Sequence, residues 1–158
     1  MKDIASLAVG IVSGVIANEL VSGRRLRKTV RKKEDDVEKF NEFYLVLLQW
    51  IRVHQEGRTL VDYFKKKKYH SVAIYGMKEL GEALLEELEG SDIEVKYGID
   101  RNADSLYVGV DTYRPDEELE DVDVIVVTAV HFFEDIEEQM REKIKGDIVS
   151  IEDVVWET

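Results

Sequence analysis

The hydrophobic positions of this chain change period along its length, and each change marks a different kind of element. Residues 4–21 read IASLAVGIVSGVIANELV, an apolar run diluted only by Ser6, Ser13, Asn18 and Glu19. Its length is about what a helix needs to cross a bilayer. The run predicts either a membrane-anchoring helix or a soluble helix packed on the domain or on a second copy. Gly10 and Gly14 form a G-x-x-x-G strip, and Ser6 and Asn18 continue the same face at four-residue steps. Such a strip lets two helices approach closely. Arg24, Arg25, Arg27, Lys28, Arg31, Lys32 and Lys33 follow at once. On an anchor, a basic flank on that side places the remainder in the cytoplasm, tethered to the inner face of the membrane. Because the basic residues come after the apolar run, the pattern argues against a cleaved signal peptide.

From residue 34 the period is helical. Phe40, Phe43, Leu47, Trp50 or Ile51, and His54 recur at three- and four-residue steps, predicting an amphipathic helix over 34–56. Glu34, Asp35, Asp36 and Glu38 suit its positive end, and Gly57 is placed to stop it. Thr59 is the expected cap of a short helix Leu60–Lys67 with Leu60, Tyr63 and Phe64 on its apolar side. Helical spacing explains the aromatic stripe as packing, on the sheet that follows or on a twin helix. A homo-oligomer joined through the N-terminal helices is the expected assembly.

From Ser71 the runs become short and nearly all apolar, as in parallel strands buried on both faces. Strands are predicted at Ser71–Tyr75, Ile93–Ile99, Leu106–Val110, Val122–Thr128 and Asp147–Ser150. Helices are predicted at Leu80–Leu88, Phe132–Lys143 and Ile151–Trp156, with a short acidic helix or turn at Glu117–Glu120 after Pro115. The fold class is α/β: a small open parallel, Rossmann-like sheet in the order 3-2-1-4-5 with right-handed crossovers, preceded by N-terminal helices. Three segments result: 1–33, an apolar helix with its basic flank; 34–69, an amphipathic helical lead-in; and 70–158, the Rossmann-like domain.

Charge sharpens this division. Residues 1–70 carry a balance of +6 and residues 71–158 one of −18, within a net charge of −12. The acidic part repels nucleic acid, so none is expected as a partner; contact with a membrane is confined to residues 4–33. The chain has no cysteine, which excludes disulfides, thiolate metal sites and cysteine nucleophiles. His54, His70 and His131 are scattered, and no metal site is expected. The acidic runs, Glu86-Glu87 among them, read as solvated faces.

In an open α/β sheet, ligands bind beyond the carboxyl ends of the strands, where strand order reverses. The segment Gly76-Met77-Lys78-Glu79-Leu80-Gly81 follows a strand and opens a helix, the setting of a dinucleotide-binding turn. Gly76 permits the tight turn and Gly81 close packing of helix on strand. Lys78 stands where the middle glycine of G-x-G-x-x-G belongs. It hinders close approach of a pyrophosphate but adds a positive charge, and the helix amides remain available to an anion. The alternative is that two glycines merely close a βα turn. Asp100 ends the second strand about twenty residues on, where an acid can bond a ribose hydroxyl or simply cap an Asx turn. Arg101 and Asn102 can reach phosphate or base. Thr128, Ala129 and His131 follow the fourth strand at the mouth of the expected crevice. His131 suits acid–base work or, with no carboxylate or nucleophile fixed beside it by spacing, capping or ligand contact. No catalytic residue is assigned.

The segments SVAIYGMKELGEALLEEL, VKYGIDRNAD and DVDVIVVTAVHFFEDIEEQM resemble the small Rossmann-like domains of bacterial capsule and exopolysaccharide gene clusters. They are similar to the N-terminal nucleotide-sugar-binding domain of sugar O- and N-acyltransferases. LLQWIRVHQEGRTLVDYF resembles the helical lead-in of the capsule-cluster group. The resemblance implies that Gly76, Lys78, Gly81 and Asp100 line a nucleotide or nucleotide-sugar site. These residues include no counterpart of the hexapeptide-repeat β-helix that transfers the acyl group, which puts acyl transfer in doubt. The expected function is thus an accessory nucleotide or nucleotide-sugar-binding protein in cell-surface polysaccharide synthesis. The alternatives are a minimal NAD(P)-dependent oxidoreductase or epimerase, and an interaction module with a vestigial pocket.

Overall fold

The structure, a computed structural model, describes residues 2–106 and 108–158, with side chains from residue 27 onward. It divides into two compact units, Met1–Asn41 and Glu42–Thr158. Helix α1 runs Lys2–Gln55. The apolar run 4–21, with its Gly10/Gly14 strip, lies outside the residues whose side chains are described. Among the described residues no helix is long and apolar enough to cross a membrane. In the described part of the first unit, Val30, Val37 and Phe40 are exposed large apolar side chains. Phe40 therefore does not belong to a buried stripe, as its spacing had predicted.

In the second unit the last turns of α1 bury Val46, Trp50 and Val53, with Phe43 and Leu47 packed beside them. Ile51 faces out, so Trp50 is the inward residue of the two that spacing left open. The helix stops as expected. Gly57 has φ +76, and the Gly57 and Arg58 N–H groups reach back to the His54 and Val53 carbonyls in a Schellman closure. Helix α2, Val61–Lys67, starts one residue later than expected, with Leu60 in the capping position. The Thr59 hydroxyl is therefore too early to cap; instead the Asp62 carboxylate accepts the Thr59 N–H at 3.1 Å.

Five parallel strands follow: β1 Ser71–Tyr75, β2 Glu94–Ile99, β3 Thr112–Tyr113, β4 Val124–Val127 and β5 Asp147–Ser150, in the order β3-β2-β1-β4-β5. The fold is the expected Rossmann-like α/β sheet. β1 is central, with Tyr75 beside Ile99 of β2 and Val127 of β4. Residue parity sorts its side chains to two faces. Val72, Ile74, Val124 and Val126 pack with the end of α1, α2, α3 (Glu79–Leu88) and α5 (Ile151–Glu157). Ala73, Tyr75, Ile125 and Val127 pack with α4 (Phe133–Arg141) through Ile136 and Met140. Both faces being covered explains why the strands read as unbroken apolar runs.

The third strand corrects the expectation. Leu106 and Val108–Val110 are not in a strand; among the described residues the pairing with β2 is made by Thr112 and Tyr113, with the Asp111 carbonyl accepting the Gly98 N–H. Leu106, Val108 and Val110 instead lay half-buried side chains on the α3 side of the core. Alternation of apolar residues does not by itself separate a loop laid on the core from a strand. The acidic stretch after Pro115 is a turn, with the Glu117 N–H on the Arg114 carbonyl.

Candidate functional site

The chain leaves β1 at Tyr75 and reverses at Gly76, whose φ of +96 a residue with a side chain rarely adopts. The turn is held from both neighbouring strands. The Gly76 N–H donates to the Ile99 carbonyl at 2.8 Å, and the Thr128 hydroxyl donates to the Gly76 carbonyl at 2.6 Å. A Cβ on Gly76 would lie 2.6 Å from that hydroxyl oxygen. One on Gly81 would sit inside contact distance of the Gly76 carbonyl oxygen. Gly76 and Gly81 thus do what their spacing suggested, one making the corner and the other letting α3 lie against it.

Met77 turns inward. It is fully buried, and the space above Gly98 is filled by its side chain. Its backbone N–H donates to Asp100 Oδ2 at 3.0 Å, while Asp100 Oδ1 accepts from the Asn102 N–H at 2.8 Å. Asp100 is buried, so these bonds satisfy a carboxylate largely removed from water. It makes the Asx turn that the sequence allowed and ties the glycine corner to the end of β2.

Helix α3 opens at Glu79 with Lys78 as an extended N-cap, and no side chain caps it. Its first-turn amides, which have no intrahelical acceptors, face the switch point between β1 and β4. A cleft of about 340 Å³ opens there. Gly76, Lys78, Asp100, Arg101, Asn102, Thr128 and Ala129 line it, seven residues singled out from sequence. The apolar wall comes from Phe43, Leu80, Phe132 and Ile136. Of these, Phe43 could not be placed by pattern, because it arrives from a helix far earlier in the chain. Tyr75 also lines the cleft and read only as strand core.

His131 lies elsewhere. Its Nδ1 is 3.2 Å from Glu42 Oε2, and its ring meets Phe132 edge-on at 5.3 Å. It faces a neighbouring depression with Glu134, Asp135, Glu152 and Asp153 rather than the cleft. Met77 and Gly81 support the corner from beneath without lining the cleft. Among the described residues no group of His, Asp or Glu is arranged to hold a metal ion.

The Tyr75 hydroxyl is buried and makes no hydrogen bond of normal geometry among the described residues. Burial pushes its pKa up, and the nearby Arg101 guanidinium opposes that push. No protein-family model, no curated protein and no solved structure matches the chain.

Proposed function

We propose that the unit Glu42–Thr158 is a binding module for a phosphate-bearing nucleotide, with nucleotide sugars as the ligand class, serving bacterial cell-surface polysaccharide synthesis. The observation that carries this reading is the uncapped N-terminus of α3 opening into a cleft rimmed by Lys78 and Arg101. Helix amides and flanking cations are what a phosphate requires. Phe43, Leu80, Phe132 and Ile136 offer an apolar bed for a base or sugar ring. The Asp100 oxygens retain lone pairs beyond those given to Met77 and Asn102, enough to accept a ribose hydroxyl.

Two features favour binding without catalysis. Among the described lining residues no carboxylate–histidine or lysine–tyrosine pair is assembled for proton transfer. Thr128 donates its hydroxyl to backbone carbonyls, so among the described lining residues it offers no activated nucleophile. We extend the proposal to the N-terminal helix, which brings copies together and holds the module at the inner face of the membrane. The exposed Val30, Val37 and Phe40 support the association.

The test is a thermal-shift series on the full chain with uridine and guanosine diphosphate sugars, NAD(H) and inorganic phosphate. A ligand at a hundredfold excess over its Kd stabilises the native state by about 2.7 kcal/mol. A nucleotide sugar is expected to raise the melting temperature, and Lys78→Glu to remove the rise. A shift with NAD(H) alone replaces this reading with a dinucleotide enzyme, and silence throughout removes the site.

A further inference from the structure

Tyr75 is a residue of the cleft whose hydroxyl proton has been taken from water without an acceptor in return. It is 4 % exposed, and its hydroxyl makes no hydrogen bond of normal geometry; the Arg101 guanidinium nearby can only donate to it, so the phenol proton has no acceptor among the described residues. Buried hydroxyls are almost always hydrogen-bonded, because the unpaired state costs free energy. The two charged groups that act on this phenol, Arg101 and Asp100, both line the cleft. Tyr75 lines the cleft with them, at the edge of the α4 side of the core.

We infer that the Tyr75 hydroxyl is a ligand-facing hydrogen-bond donor, completed by a phosphate oxygen seated between the α3 amides, Lys78 and Arg101. This rests on the reading of the cleft as a nucleotide site and adds to it a residue and a direction of bonding. The direction follows from the neighbours. Helix amides, an ammonium and a guanidinium draw an anionic oxygen, and such an oxygen can only accept. Asp100 does not take this proton in the structure; its oxygens accept the Met77 and Asn102 N–H groups instead. Tyr75 is then a specificity residue: it rewards a ligand with an oxygen at that depth, and it is poorly satisfied without one.

The experiment compares wild type with Tyr75→Phe, which keeps the ring and removes only the hydroxyl. Two quantities are read on the full chain: the melting temperature without ligand, and the affinity for uridine diphosphate and for inorganic pyrophosphate. The ligand-free variant is expected to melt at or above the wild-type temperature, since an unpaired polar atom has been removed. Its affinity for both probes is expected to fall about tenfold or more, the loss of one hydrogen bond to a charged group. Wild-type binding that Tyr75→Phe leaves unchanged overturns this inference and spares the nucleotide reading. A ligand-free variant that melts below wild type also overturns it, since the hydroxyl then has an internal partner. A wild type that binds neither probe sinks both together.

Discussion

Glu87 and Trp50 stand 37 residues apart in the chain, and the indole N–H of one donates to the carboxylate of the other. His54 Nε2 lies 3.0 Å from the same oxygen, and the Leu60 N–H donates to the second oxygen at 2.6 Å. One carboxylate on α3 therefore fastens the end of α1 and the entry to α2. Glu86-Glu87 reads from sequence as a solvated acidic face, and Glu86 is exposed. The Glu87 side chain is only 10 % exposed, because it sits where three segments converge.

Glu87→Ala leaves a buried indole N–H and a backbone N–H without an acceptor. The expected loss is about 2–3 kcal/mol in urea unfolding, and Glu87→Gln, which keeps one acceptor oxygen, should lose less. A change within about 0.5 kcal/mol for the alanine variant, as at an ordinary surface site, would show that the junction holds without the carboxylate.

Asp123 performs a similar task at the amino end of the sheet. Its Oδ2 accepts the His70 and Ser71 N–H groups at 2.7 and 2.9 Å, joining the start of β1 to the start of β4. These bonds, the His70 one foremost, hold its pKa below the ordinary carboxylate value. A depressed pKa in the folded state contributes stability that is complete above the unfolded value, about 3.9 for Asp, and lost as pH falls through the folded one. Asp123→Asn should thus be less stable than wild type at neutral pH, with the gap closing below about pH 4. The measurement is the melting temperature of both proteins from pH 7 to pH 2; a gap that stays constant contradicts the assignment. The side chain is exposed, so the effect is modest and weakens in salt.

How far the sequence reveals this molecule depends on whether a feature is local. The corner at Gly76 was legible because a positive φ and a helix lying on a backbone carbonyl both demand glycine, at a spacing any βα turn shares. The strands were legible because burial on both faces removes polar residues altogether. What was not legible is pairing over distance. Leu106, Val108 and Val110 alternate as a strand would, and only the geometry shows that Thr112 and Tyr113 take the ladder. His131 looked like a residue of the crevice until Glu42, 89 positions earlier, proved to be its partner. Tyr75 carries no sequence signal at all, since a phenol in an apolar strand reads as core whether or not its hydroxyl is satisfied.

The two glycines of the corner offer a test of that geometry by non-additivity. A Cβ at Gly81 meets the carbonyl oxygen of Gly76, and a Cβ at Gly76 meets Thr128 while forcing a positive φ on a side chain. Each alanine substitution should cost about 1–3 kcal/mol. Relief of either strain moves the same peptide, so the double variant should cost less than the two singles combined. Chemical denaturation of the four proteins reads this directly, and strict additivity would mean that the two positions do not share the strained peptide.

The exposed apolar residues of the N-terminal unit lead to the last prediction. Val30 and Val37 are seven residues apart on one helix and Phe40 is three further on, which places them on a single face. Phe40 is 71 % and Val37 68 % exposed, amounts of apolar surface that a helix surrounded by water gains nothing from showing. If this face joins two copies, Val37→Glu with Phe40→Glu should convert an associated wild type to monomer in sedimentation, since burying two carboxylates opposite two more is unfavourable. The cleft lies in the other unit, so Lys78-dependent binding of a nucleotide sugar should survive the change. A wild type that sediments as a monomer removes association altogether, and a variant that associates as well as wild type removes this face and leaves residues 4–21 as the route by which the helix joins copies.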